Sequence, residues 1–208
     1  MICRALIICL LLATSISAEG ATSDVVFLDT ETTGFSPEND RIIEVACIKI
    51  KGTNEISSLS ILVNPGMPIP MTATAVNKIT DNMVKDAKTF AQAYPAISSF
   101  LSNSTVVAYN CQFDYAFLQA EAKRNGFKVI DSQFIDAMKL CKSVLKDCSS
   151  YSLESVAAHL KITTGTKHRA LADVRTLKEV YLICIPKLPP ESRIDSFRYP
   201  SQKNTGKD

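Results

Sequence analysis

Tryptophan is absent, histidine occurs twice and glycine only seven times in 208 residues, so the aromatic content rests on nine Phe and six Tyr. The seven cysteines contain no Cys-x-x-Cys pair, which leaves no zinc pattern and no disulfide framework. Cys3 and Cys9 fall in an N-terminal stretch apart from the rest, and Cys47, Cys111, Cys141, Cys148 and Cys184 read as small apolar residues of a core. Neither sign of charge dominates: 23 Lys and Arg face 21 Asp and Glu, for a net charge of +2. No global basic field advertises a polyanion, so a binder of one must concentrate charge locally or use metal ions. No internal repeat is evident, which excludes a solenoid. The one apolar run of note, Ala5 to Ala13, is too short to span a bilayer comfortably.

That run has another reading. Arg4 precedes it, and small residues follow up to a cut after Ala18. A short positive start, a brief apolar core and a small residue at the cut match a secretory signal over residues 1–18. The expected localisation is therefore export to the periplasm or medium, with a cytoplasmic chain as the alternative. No stable membrane partner is expected after signal removal. Residues 24–185 have the length and apolar content of one domain. From Pro186, Pro, Ser, Lys and Asn dominate, and residues 186–208 are expected as a flexible tail.

Within the domain, Val25 to Leu28 is apolar on both faces, as in a central strand covered on both sides. Arg41 to Ile50 and Ile56 to Val63 continue as an antiparallel meander, separated by the Gly52-Thr53-Asn54 turn. Short helical pieces are expected between Thr72 and Leu101, then a strand over Thr105 to Tyr109 and a helix from Asp114 to Arg124 stopped by Asn125-Gly126. Lys128 to Ile130 reads as a short strand. Ala137 to Leu145, Leu153 to Leu160 capped by Ser152, and Arg169 to Cys184 read as helices. The fold class is α/β: a mixed central sheet flanked by helices on both faces.

Phe27 to Phe35 reads FLDTETTGF. On a strand, residues two apart share a face, so Asp29 and Glu31 project together at the strand's C-terminal end, where open α/β sheets place their sites. Two carboxylates this close repel each other unless one is protonated or a cation lies between them. Their oxygens suit Mg²⁺ or Mn²⁺. Asp114 follows a strand and opens a helix, where the dipole by itself favours an acid. Asp173 lies about 60° from the centre of the Ala170, Val174, Leu177 and Tyr181 stripe, at its buried margin. His168, if helical, would point about 140° away from Asp173; to share a site it must sit in the preceding loop. His159 falls opposite its helix's apolar stripe and reads as surface. Four carboxylates and one histidine fit metal-assisted phosphodiester hydrolysis, with two ions roughly 3.5–4 Å apart and a histidine taking the water's proton.

Asp29-x-Glu31, Asp114 after Tyr109-Asn110, and His168-x₄-Asp173 resemble, in order, the three motifs of the DEDDh-type 3′-5′ exonuclease family, with the nearest likeness to the proofreading epsilon subunit of bacterial DNA polymerase III. The resemblance covers about residues 24 to 183. It implies a ribonuclease H-like fold and removal of 5′-mononucleotides from the 3′ end of a single strand, DNA favoured. It also implies that Asp29, Glu31, Asp114 and Asp173 hold two Mg²⁺ or Mn²⁺ ions and that His168 is the general base. Thr30, Thr32 and Thr33 would lie near the terminal nucleotide, Ile79 would be an apolar wedge against its base, and Asn110 and Phe113 would line the pocket. Asn77-Lys78-Ile79 stands where the family often has His-Gly-Ile, and Tyr109 where it commonly has His before the Asn. No polymerase-binding segment is visible in the tail. The rival readings are a 3′-5′ exoribonuclease, since 2′-OH readout depends on pocket shape, and a non-catalytic nucleic-acid-binding module on the same fold.

Overall fold

The computed structural model describes residues 24–165 and 168–200; the signal expected over residues 1–18 lies outside them. The chain begins with β1 (Val25–Thr32), β2 (Ile42–Lys51) and β3 (Asn54–Asn64). Short helices α1 (Met71–Asn77) and α2 (Asp81–Val84) follow, then β4 (Lys88–Thr89) and α3 (Phe90–Leu101). Next come β5 (Thr105–Ala108), α4 (Gln112–Arg124), β6 (Gln133–Asp136), α5 (Ala137–Val144), α6 (Leu153–His159) and α7 (Ala170–Cys184). A last strand, β7 (Arg198–Tyr199), closes one edge.

The strands form one mixed sheet in the order β4-β3-β2-β1-β5-β6-β7. The meander β1-β2-β3 is antiparallel, as its turn signals predict, and β5 and β6 add in parallel to β1. Alternation along β1 splits the core. Val26 and Leu28 pack with Ile97 of α3 and Phe117 and Leu118 of α4. Phe27 faces the other way, toward Leu140 of α5, Val156 of α6 and Val174 and Leu177 of α7. This is why β1 reads as apolar at every position: both its faces are covered. Among the described residues no helix is long and apolar enough to cross a membrane.

Local signals set several element ends. Thr89 and Gln92 form a capping box on α3. Asp136 accepts from the Met138 and Lys139 amides to start α5, and Ser152 accepts from Ser155 N to start α6. Each satisfies amides that an uncapped helix leaves open.

Two expectations are corrected. No strand forms at residues 128–130; the strand is β6, which starts five residues later, at Gln133. Phe134 and Ile135 are both fully buried, one in each core, whereas Val129 is half exposed. Two adjacent apolar residues filling opposite faces made the better strand. Of the tail expected over residues 186–208, residues 201–208 lie outside the described residues, and the described part is not loose: β7 pairs antiparallel with β6, and the Tyr199 ring packs edge-on against Tyr115 at 5.4 Å. The polar composition of this segment hid two aromatic anchors, Phe197 and Tyr199, each packed on a core.

Candidate active site

β1 outruns its neighbour. Its pairing with β5 ends at Leu28 and Ala108, while pairing with β2 runs on to Thr32, with a bulge between Glu31 and Thr32. Asp29 to Thr32 therefore overhang the point where the chain leaves β5 and turns into α4. Alternation sorts their side chains. Asp29 and Glu31 follow Phe27 toward α7, and Thr30 follows Val26 and Leu28 toward α4.

Asp173, in the first turn of α7, completes the first group. Carboxylate oxygens of Asp29, Glu31 and Asp173 lie within 4.8 Å of one another. Asp114, in the first turn of α4, is not part of that triad. It accepts a hydrogen bond from Thr30 Oγ1 at 2.8 Å and opens onto the same cavity of about 450 Å³. All four acids are held in low-dielectric surroundings, and each is shifted toward the neutral form. Burial, then the neighbouring Asp114 and Glu31 charges, raises Asp29 well above the usual carboxylate range. Burial and the Asp173 and Glu44 charges push Glu31 up to about 8, against a hydrogen bond from Asn77. Burial pushes Asp114 up to about 7 although the Thr30 hydroxyl favours its anion. Burial also raises Asp173, opposed by the His168 charge and by hydrogen bonds from the His168 and Arg169 backbone. Acids whose charges raise Asp29 and Glu31 toward neutrality, with an all-oxygen donor set, form a site a divalent cation would relieve.

His168 does sit in the loop before α7, as the spacing requires. It adopts a left-handed backbone, φ 54°, which brings its exposed side chain to the cavity. Asn110, at the β5–α4 junction, is left-handed too, φ 57°. Such residues concentrate where surrounding structure holds them for a function. Thr30, Thr32, Thr33, Asn110 and Phe113 all line the cavity. Thr33 is nearly fully buried, its hydroxyl donating to Asp40 and accepting from Arg41 N, both at 3.0 Å.

Ile79 does not reach the cavity. It is fully buried with Ile43, Ile69 and Val84 in a small separate core. The left-handed turn at Lys78, φ 62°, closes α1 and carries the chain away, and Ile79 is tied inward by Asn77 Oδ1 and Thr74 Oγ1. Val76, half exposed on α1, provides apolar surface at the cavity instead.

Three contributors were missed in the sequence. Phe35, 90 % exposed, stands at the cavity edge-on to Phe113, with centroids 6.4 Å apart. A phenylalanine after Gly34 looked like ordinary loop filler; only its lack of cover marks it. Asn77 is buried, bonds Glu31 and donates to Thr32 O at 3.4 Å. Glu44, opposite Glu31 in the β1–β2 register, is 2 % exposed and pairs with Arg169. A charged residue inside the apolar run Ile42 to Ile48 was the available signal.

Comparison with known proteins places the chain in a family. The family model described as Exonuclease matches residues 26–181. The PolC-type DNA polymerase III of Clostridium perfringens is 32 % identical over 185 residues, covering 89 % of this chain and 13 % of the relative. That of Thermotoga petrophila is 36 % identical over 166 residues, covering 80 % and 12 %. The chain thus spans about an eighth of the length of these relatives. Among solved structures, E. coli Exonuclease I in complex with a dT13 oligonucleotide superposes with a TM-score of 0.71 at 20 % identity, over 79 % of this chain and 41 % of that one. Exonuclease X in complex with 5′ overhanging duplex DNA gives 0.61 at 24 % identity, over 82 % and 98 %. These neighbours share the ribonuclease H-like fold.

Proposed function

The chain belongs to the exonuclease family, and on that premise we propose that it is a metal-dependent 3′-5′ exonuclease releasing 5′-mononucleotides from single-stranded 3′ ends, with DNA favoured over RNA. The observation that carries this is the convergence of Asp29, Glu31 and Asp173, from two distant segments, to within 4.8 Å at the wall of an open cavity. The DNA-polymerase relatives and the DNA-bound structural neighbours support the choice of substrate.

Asp29, Glu31, Asp114 and Asp173 would hold two Mg²⁺ or Mn²⁺ ions, which supply charge stabilisation at the phosphate oxygens and a more acidic water. His168 takes the proton of the attacking water on its imidazole nitrogen. Its exposure leaves it free to hand that proton on to solvent. Thr30 holds Asp114 in place through the 2.8 Å bond. Thr32, Thr33 and Asn110 face the terminal nucleotide. Phe35, Phe113 and Val76 give its base an apolar wall, on which stacking tolerates any sequence. The leader-like pattern of residues 1–18 supports export, so the substrate would be nucleic acid outside the cytoplasm; mass spectrometry of the native N-terminus should find Glu19 rather than Met1 first.

The deciding experiment incubates the purified protein with 5′-end-labelled single-stranded DNA, duplex DNA and RNA. The expected outcome is a ladder shortening from the 3′ end on single-stranded DNA, with 5′-mononucleotides released in Mg²⁺ or Mn²⁺ and nothing in EDTA. Undiminished cleavage in chelator, or loss of the 5′ label as mononucleotide, overturns the reading. Faster digestion of matched RNA would make it an exoribonuclease.

A further inference from the structure

Arg169, the residue just before α7, forms an ion pair with the buried Glu44. Its Nε and Nη2 donate to the two oxygens of Glu44, at 3.2 and 2.9 Å. Glu44 Oε2 also accepts from the backbone N–H of Ala170 at 3.0 Å. Glu44 thus caps the first free amide of α7 from a distant strand, one of the four N–H groups that a helix leaves without an internal partner. Arg169, the residue that precedes the helix, makes no such cap itself.

The position of this anchor matters. Glu44 stands on β2 directly opposite Glu31 on β1. Ala170 stands three residues before Asp173, and the adjoining His168 and Arg169 amides bond the Asp173 carboxylate. One buried carboxylate therefore ties the β-sheet that carries Asp29 and Glu31 to the helix turn that carries Asp173 and follows His168. A paired, hydrogen-bonded fork of this kind is geometrically specific, and a buried charge with all its partners resists being pulled apart.

We propose that Glu44, through Arg169 and the Ala170 amide, is a positioning residue that sets the separation between the β1 carboxylates and Asp173, and so the affinity of the site for divalent ions. The proposal rests on the metal-dependent reading of the cavity given above. It competes with a purely electrostatic role, in which Glu44 only adds negative potential, and with a purely structural one. The three differ in the sign of what substitution does.

The test titrates Mn²⁺ into the full-length protein by calorimetry, with the metal-free melting temperature and the Mn²⁺ dependence of nuclease rate measured alongside. Glu44→Asp keeps the charge but shortens the arm, and Arg169→Gln removes a positive charge beside the acids. Positioning predicts that both weaken Mn²⁺ binding at least fivefold, and that the rate is largely recovered at saturating Mn²⁺ while KM for the oligonucleotide moves less than threefold. The electrostatic role predicts unchanged binding in Glu44→Asp and tighter binding in Arg169→Gln; either result overturns the proposal. A lower metal-free melting temperature with unchanged Mn²⁺ affinity shows a structural tie alone and overturns it too. Should Arg169→Gln fail to fold, Glu44→Asp decides by itself, and Glu44→Gln/Arg169→Gln, which buries no unpaired charge, replaces it. The nuclease reading fails separately: wild-type protein that binds Mn²⁺ but degrades no nucleic acid would reject that reading while leaving the calorimetric comparison intact.

Discussion

At the scale of single residues, the cavity sets conflicting demands side by side. Its acids are buried or half-buried, and Asp29 and Glu31 are pushed toward neutrality by the charges around them, while its proposed base and the Phe35 ring stand in solvent. The proposed general base is the easiest to isolate. His168→Ala should lower kcat on single-stranded DNA by about 10²–10⁴-fold, the usual worth of a positioned base, while oligonucleotide binding in Ca²⁺ changes little. Parallel losses of rate and binding in a gel-shift and single-turnover pair would count against the role. Phe35 tests the base wall. It is almost wholly exposed and touches Phe113 only edge-on, so its removal uncovers no core. Phe35→Ala should leave the melting temperature unchanged and raise KM about 5- to 150-fold, since base–aromatic stacking contributes about 1–3 kcal/mol. An unchanged KM would place the base elsewhere.

At the scale of elements, tight turns aim the site. The loop after β1 is cinched by Asp40, which accepts from Thr33 Oγ1 at 3.0 Å and from Ser36 N at 2.9 Å. A Cβ on Gly34 would lie 2.4 Å from Asp40 Oδ2, so glycine is required there by close approach rather than by backbone angle. The turn ending α1 shows the opposite case. Lys78 holds a left-handed φ of 62° that an L side chain adopts at a cost, and it is exposed. Lys78→Gly should therefore stabilise the fold by about 1 kcal/mol in urea denaturation, the usual penalty of a non-glycine left-handed residue. It should also leave Ile79 buried and the nuclease rate unaltered. Destabilisation would mean that the Lys78 ammonium bond to Ala75 O outweighs the backbone strain.

At the scale of the whole molecule, the acids tie stability to pH and metal. A carboxyl whose folded pKa is raised contributes stability that is complete below its unfolded value and is lost as pH climbs through the folded one. Glu31 moves from 4.5 to about 8 and Asp114 from 3.8 to about 7, and Asp29 and Asp173 shift in the same direction. In EDTA, the melting temperature should fall progressively from about pH 3.8 to pH 8. Saturating Mn²⁺ should restore it, with an increment that grows with pH across that window, because binding draws on the ionised acids. Thermal melts at pH 5 and pH 8, with and without Mn²⁺, measure this. A metal increment that is larger at pH 5 would contradict the shared cage.

Much of this protein follows from short-range periodicity alone: the period of two that puts Asp29 and Glu31 on one face, the helical stripe that leaves Asp173 at its margin, the loop that frees His168, and the meander of strands flanking them. These are local consequences of backbone geometry, and they survive in any context that forms the same element. Tertiary packing decided the rest. Ile79 went inward and Val76 stayed out because a single left-handed residue redirected the chain. Phe35 was left uncovered, Tyr199 recruited the segment after α7 into the sheet, and Glu44 found its partner 125 residues away in Arg169. Exposure and pairing are properties of what lies opposite a residue after folding, and nothing in its neighbours along the chain encodes that.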